Sequence, residues 1–165
     1  IPDIIYGINM GMAWKGFDLN LQFGGTIGNQ IFNAMRYYTY FPNDITNKDR
    51  ALMNYWTPNN TNTDIPRLTA TDVNDNDRFS DMYVESGTYF RLRNAQLGYT
   101  LPASLTQRIK LQKVRFYVSG QNLFTISSYS GMDPEVGQSS SLSRGIDYGI
   151  YPQNISFTGG INVTF

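Results

Sequence analysis

The last eleven residues, ISFTGGINVTF, alternate without interruption. Ile155, Phe157, Ile161, Val163 and Phe165 share one parity, and Ser156, Thr158, Asn162 and Thr164 share the other. A period of two is the mark of a strand that is apolar on one side and polar on the other. The pattern recurs at 4–14, where Ile4, Tyr6, Ile8, Met10, Met12 and Trp14 lie on one face. It recurs at 17–27 with Phe17, Leu19, Leu21, Phe23 and Ile27, so the two segments form a hairpin around Lys15-Gly16. Residues 88–101 and 113–126 supply two more strands, with Ala95, Leu97 and Tyr99 on one and Val114, Phe116, Val118, Phe124 and Ile126 on the other. The third strand carries an anomaly, because its parity places Arg91 and Arg93 among the apolar residues. Either a bulge near Asn94 shifts the phase, or the arginines lie beyond the apolar zone. From Leu101 to Arg91 a tilted strand climbs roughly 23 Å, close to the apolar height of a membrane barrel, which favours the second reading.

The connections are short, long, short and long, with the long ones at about 28–87 and 127–153. Transmembrane β-barrels have this rhythm, with short periplasmic turns and long outer loops. It sends the last strand toward the periplasm. No apolar run approaches the roughly 18 residues of a spanning helix, which leaves a barrel open. Five strands do not close a barrel, and bare sheet edges in lipid are not viable. The remaining wall strands are therefore expected from a longer chain, and a start without Met or signal-type segment agrees.

Composition narrows the chemistry. Charged residues make up 16% and cancel, so no basic footprint points to nucleic acid. There is neither Cys nor His, which removes disulfides, thiolate metal sites and the commonest general base. An enzyme is not expected. Asp133 and Glu135 form the one carboxylate pair that poses as catalytic, and Pro134 between them suggests a turn instead.

Three stretches carry a more specific signal: YVESGTYFRLRNAQLGYTLP, VRFYVSGQNLFTISSYSGMDPEV and GIDYGIYPQNISFTGGINVTF. They resemble the C-terminal region of SusC/RagA-type TonB-dependent outer-membrane transporters of Bacteroidetes. The opening IPDIIYGINMGMAWKGFDLNLQFGGTIGNQIFNA resembles that family's preceding hairpin, so only the polar middle lies outside the match. Family members often carry an acidic residue where this chain has Ser86. The resemblance implies an all-β fold, a transmembrane antiparallel barrel of twenty-two strands of which these are the last five. It implies a plug domain and a TonB box elsewhere, TonB as a partner, and a SusD-like surface lipoprotein as a lid. The implied function is energised uptake of oligosaccharides or peptides across the outer membrane. The alternatives are a passive porin-like or adhesin barrel, and a soluble carbohydrate-binding β-domain.

Candidate site residues follow. Tyr37, Tyr38 and Tyr40, with Phe41, lie just beyond the second strand, placed either to stack on cargo or touch the lid, or to pack the loop. Residues 46–56 read as a short helix capped by Thr46, presenting Ala51, Leu52, Tyr55 and Trp56 on one face. Asp72, Asp75 and Asp77 sit in an acidic loop that fails the EF-hand pattern, because its sixth and twelfth places hold Asp77 and Tyr83. No cofactor is expected, an irregular structural Ca²⁺ site in this outer loop being the exception. Lys113 and Arg115 face the polar side near the short-turn end, exposed to lumen water or paired with plug carboxylates. Trp14, Phe17 and Tyr99 are expected in a periplasmic aromatic girdle facing outer-membrane lipid. Phe165 is expected beside them, as part of the signal read during barrel assembly.

Overall fold

The computed structural model describes residues 1–41, 47–69, 71–136 and 144–165. Among the described residues, eight strands occur in chain order: β1 Ile4–Trp14, β2 Phe17–Ile27, β3 Gln30–Asn33, β4 Val84–Ser86, β5 Tyr89–Thr100, β6 Lys113–Ser127, β7 Ile146–Asp147 and β8 Ser156–Thr164. Helix α1 spans Ala34–Tyr40 and α2 spans Ala103–Thr106. The chain divides into two units, one of residues 1–29, 87–128 and 152–165, the other of 30–86 and 129–151.

The first unit is a five-stranded antiparallel sheet in the order β1-β2-β5-β6-β8. β1 and β2 pair without slippage from Ile4↔Ile27 to Trp14↔Phe17. The turn between them succeeds because Lys15 and Gly16 both take positive φ, at 47° and 89°. That backbone twist matches the twist of the flanking strands. The next short connection, after Pro102, runs through α2 and a 3-10 turn at Gln107–Ile109, and ends on left-handed Lys110.

β5 corrects the reading of its two arginines. Gln22 pairs with Asn94 and Phe23 with Leu92, leaving Arg93 as an extra residue. The bulge reverses parity, so Phe90 and Leu92 join Ala95, Leu97 and Tyr99 on the apolar side. Arg91 pairs opposite Gly24 and Thr125, and a Cβ on Gly24 would meet the Arg93 side chain. Both arginines therefore lie on the polar face, inside the strand rather than beyond its apolar zone. The physical reason is cost. One unpaired ladder position is cheaper than two guanidinium groups among apolar neighbours.

The second unit holds a small sheet in the order β4-β3-β7, with β3 antiparallel to β4 and parallel to β7. Helix α1 follows β3 directly, and the Asn33 side chain caps it by accepting from the Arg36 N–H at 2.9 Å. Instead of a helix over 46–56, a 3-10 turn occupies Arg50–Asn54. Asp49 caps it, its Oδ1 accepting from the Ala51 N–H at 2.7 Å. Thr46 lies outside the described residues. Tyr55 is already extended, because the Trp56 N–H bonds the Ile65 carbonyl at 2.9 Å. Only Leu52 of the expected apolar face is buried.

Candidate functional site

The sheet presents an unburied apolar face. Met10 is 56% exposed, Val118 60% and Phe157 78%. Two rows of aromatic residues bound this face. At the short-turn end, Trp14 pairs with Phe17 and Phe17 with Tyr99, the last two rings 4.5 Å apart. The Lys15 ammonium lies 4.8 Å over the Trp14 ring. Phe165 follows β8 at this end and is fully open. At the opposite end, Phe90 lies between Tyr6, Phe23 and Phe124, with centroids 6.5, 5.2 and 6.3 Å away. The Tyr6 hydroxyl donates to the Tyr89 carbonyl at 3.1 Å, across Gly25, where any side chain would collide with the ring. Eight residues separate Tyr6 from Trp14, roughly 27 Å along the strand and about 20 Å along a membrane normal at a 40° tilt. The sequence alone marks the first row. The second depends on the β5 bulge, which brings Phe90 into line.

The polar face carries an ion pair spanning three strands. The Arg115 Nε donates to Asp18 Oδ1 at 2.9 Å, and Nη2 donates to Oδ2. Asp18 is on β2 and Arg115 on β6, with β5 between them. The pair reaches across because Gly98 is the intervening residue, and a Cβ there would meet both charged groups. Tyr117 likewise lies over Gly160 of β8, its ring 5.5 Å from the Arg115 guanidinium. Arg115 thus has a partner within the wall. Farther along the same face, buried Arg91 donates from Nε to Thr125 Oγ1 at 2.8 Å.

The loop unit is organised by Glu85. Its carboxylate accepts from the Ser130 N–H at 2.8 Å, the Ser130 hydroxyl at 2.8 Å and the Asn33 amide at 3.1 Å, and Arg36 stands 3.6 Å away. Burial pushes this carboxyl up, but Ser130, Asn33 and Arg36 outweigh it and hold it below the ordinary range. Asp147 is the second node. It accepts from the N–H groups of Gly149 and Ile150 and from the Tyr129 hydroxyl, the last at 2.6 Å. Burial and that bond push the Tyr129 hydroxyl up. Neither acid stands out in the sequence, since Ser130, the partner of Glu85, is 45 positions away and Asp147 sits in a two-residue strand.

The candidate aromatic residues separate on this frame. Tyr37 stacks on Phe79 at 5.1 Å and meets Phe32, Phe41 and Tyr83 edge-on or tilted, so it is a packing residue. Tyr83 is fully buried, and its hydroxyl finds no partner among the described residues. Burial, then the neighbouring Tyr37, push that hydroxyl up to about 12. Tyr38 is 54% exposed, and Tyr40 lies beneath the Arg36 guanidinium at 4.8 Å. Arg36 and Tyr40 line a groove of about 390 Å³ with Met35, Asp49 and Met132. No ring contact joins half-buried Tyr55 or exposed Trp56 to this cluster among the described residues.

Asp72, Asp75 and Asp77 come together, their carboxylate oxygens within 4.8 Å of one another. The Asp77 N–H donates to Asp72 Oδ2 at 2.8 Å. Backbone N–H groups, that of Asn76 first, lower the Asp72 carboxyl, while burial and then the Asp72 charge raise Asp77. Asp133 is buried, with Oδ1 accepting from the Glu135 N–H at 2.9 Å, the geometry of an Asx turn around Pro134.

No protein-family profile matches the chain. Curated relatives do. TonB-dependent receptor P3 of Formosa agariphila is 40% identical over 99% of this chain, and P26 of the same organism is 31% identical over all of it. TonB-dependent receptor SusC of Bacteroides thetaiotaomicron is 28% identical over 99%. Among solved structures, the RagAB peptide transporter matches with a TM-score of 0.83 and 32% identity over 99% of the chain. The RagAB peptide importer in its 'open-open' state matches at 0.84 with the same identity. The chain belongs to the SusC/RagA-type TonB-dependent receptors. It spans about a sixth of the length of these relatives, 16% of P3 and 17% of the RagAB chain. A bare apolar face bounded by two aromatic rows fits membership in this outer-membrane β-barrel family.

Proposed function

We propose that the chain is a run of adjacent wall strands in the barrel of a TonB-dependent importer. The observation that carries this reading is the uncovered apolar face of a sheet whose outer strands, β1 and β8, have no neighbour among the described residues. Open edges do not persist in lipid, so further strands of the longer chain flank both. With the closing count of twenty-two strands, Asp18, Arg115 and Arg91 face the lumen. The short turns lie at the periplasmic side, and β8 ends there. Trp14, Phe17 and Tyr99 form the periplasmic girdle, while Tyr6, Phe23, Phe90 and Phe124 form the outer one.

In the same reading, the loop unit lies outside the cell and contributes to the seat of a SusD-like lipoprotein lid. TonB acts through a plug domain elsewhere in the chain. The cargo is an oligosaccharide or a peptide. The RagAB structures are of a peptide transporter, and the Arg36–Tyr40 groove offers both polar groups and an aromatic face. Exposed Tyr38 and Trp56 and half-buried Tyr40 and Tyr55 are the candidate contacts for cargo or lid, whereas Tyr37 acts through packing. The Asp72, Asp75 and Asp77 cluster is the place for a structural Ca²⁺ in this loop, its hard oxygen ligands being of the right type.

Uptake of labelled oligosaccharides and peptides by cells with and without the complete transporter tests the reading, with and without a functional TonB. TonB-dependent uptake of either class is expected. Equal uptake without TonB points to a passive pore instead. A soluble, monomeric product of residues 1–165 with a cooperative melt overturns the membrane assignment.

A further inference from the structure

Charge is unevenly distributed along the chain. Residues 30–86 and 129–151 hold eleven acidic residues against six basic ones. The short-turn end of the sheet, at 14–18, 99–115 and 163–165, holds Lys15, Arg108, Lys110, Lys113 and Arg115 against Asp18 alone. Arg115 is taken by Asp18, and Lys113 follows the parity of the polar face. Lys15, Arg108 and Lys110 remain. All three are exposed, and none forms an ion pair with a described residue.

Their surroundings are apolar. Lys15 lies over Trp14, which is 66% exposed on the apolar face. Arg108 and Lys110 follow α2, where Leu105 is 51% exposed while Thr106 is buried. Lys110 is locked in a left-handed conformation that closes the turn, φ 58°. Open apolar side chains beside unpaired cations, at the level of an aromatic row, match the boundary between acyl chains and headgroups.

We propose that this rim is a binding surface for anionic phospholipid, with the phosphates of phosphatidylglycerol-type headgroups held by Lys15, Arg108 and Lys110. Trp14 and Leu105 enter the acyl boundary. The inference rests on the membrane-spanning reading above and adds a headgroup preference to it. An anionic lipid fits better than an acidic protein because the cations alternate with side chains that require an apolar partner. The preference is electrostatic, so it weakens at high salt.

The test uses the complete transporter, reconstituted into nanodiscs of phosphatidylcholine alone or mixed with phosphatidylglycerol. Lipid retained after mild delipidation is counted by mass spectrometry. The expected result is enrichment of phosphatidylglycerol over the bulk mixture, falling roughly fivefold for each charge removed in Lys15→Gln, Arg108→Gln and Lys110→Gln. Lys15→Arg and Lys110→Arg keep the enrichment. Heat-modifiable migration on gels reports the folded barrel separately. A folded triple variant that retains as much phosphatidylglycerol as the parent overturns the proposal. So does a folded parent with no enrichment, or a triple variant that loses only an acidic protein partner. A parent that never yields the heat-modifiable form sinks the barrel reading itself.

Discussion

In the sheet, Phe157 is 78% exposed and Val118 60%, and the face they share has no covering layer among the described residues. In the loop unit, Tyr83, Ile31 and Ala34 are all at or below 2%. Both regions are rich in aromatic residues, yet only the loop unit buries them against one another. The difference lies in where each region finds its apolar partner. The sheet satisfies its backbone through inter-strand ladders and leaves its apolar face open, in the proposed reading toward lipid, the one arrangement besides a helix that a bilayer accepts. The loop unit turns apolar side chains inward instead. It must hold itself together with a small core and with two acids, half-buried Glu85 and buried Asp147, that tie distant segments to one place.

Changing a central loop residue breaks this comparison most strongly. Tyr83→Ala is expected to cost about 3–5 kcal/mol locally, the scale for a buried aromatic. Hydrogen exchange in 30–86 and 129–151 should rise by orders of magnitude while the ladders of β1, β2, β5, β6 and β8 stay protected. Equal loss of protection in the sheet shows that the two units are one cooperative body. Next in size is a charge on the lipid face. Met10→Arg, midway between the aromatic rows, is expected to cost about 2–4 kcal/mol of barrel stability. Asn9→Arg, one residue away on the polar face, should fold with near-normal yield in the outer membrane. If both variants assemble alike, the apolar face does not meet lipid.

A smaller effect follows from Glu85. Its carboxyl is held below its ordinary 4.5, so its contribution is complete above that value and is lost as pH falls through the lowered one. Acidification below the ordinary carboxylate range should loosen the loop unit before the sheet. Glu85→Gln should cost about 1–3 kcal/mol at neutral pH and flatten that acid response. Exchange or proteolysis of the loop as a function of pH measures both. The smallest effect is Tyr83→Phe. Removing a buried hydroxyl with no partner among the described residues should leave the loop unit unchanged or more stable by about 1 kcal/mol. A clear loss of stability shows that the hydroxyl has a partner, such as a bound water.

Much of the wall was legible in the sequence because period two needs no tertiary information. A residue's parity in a strand already assigns its face, so Trp14, Phe17 and Tyr99 could be grouped before their register was known. The approach failed at Arg91 and Arg93, where parity alone put charge among apolar residues. Only the pairing of Phe23 with Leu92 shows the bulge at Arg93 that rescues them. The Asp18–Arg115 pair was hidden for a related reason. The two residues are 97 positions apart, and the glycine that lets them meet belongs to a third strand. The loop was less legible still. Its strands are two to four residues long, too short to show a period. The expected helix over 46–56 gave way to a 3-10 turn, because the hydrogen bond from Trp56 to Ile65 pulls the chain into an extended course.

The sequence by itself determined that this protein has a two-sided wall, with alternating faces and alternating short and long connections. It did so because side-chain direction in a strand is local geometry. Only the tertiary structure decided that Tyr37 packs while Tyr38 stays open, that Glu85 and Asp147 hold the loop, and that three aspartates converge. Those outcomes depend on which distant segments share a place. No local period encodes that.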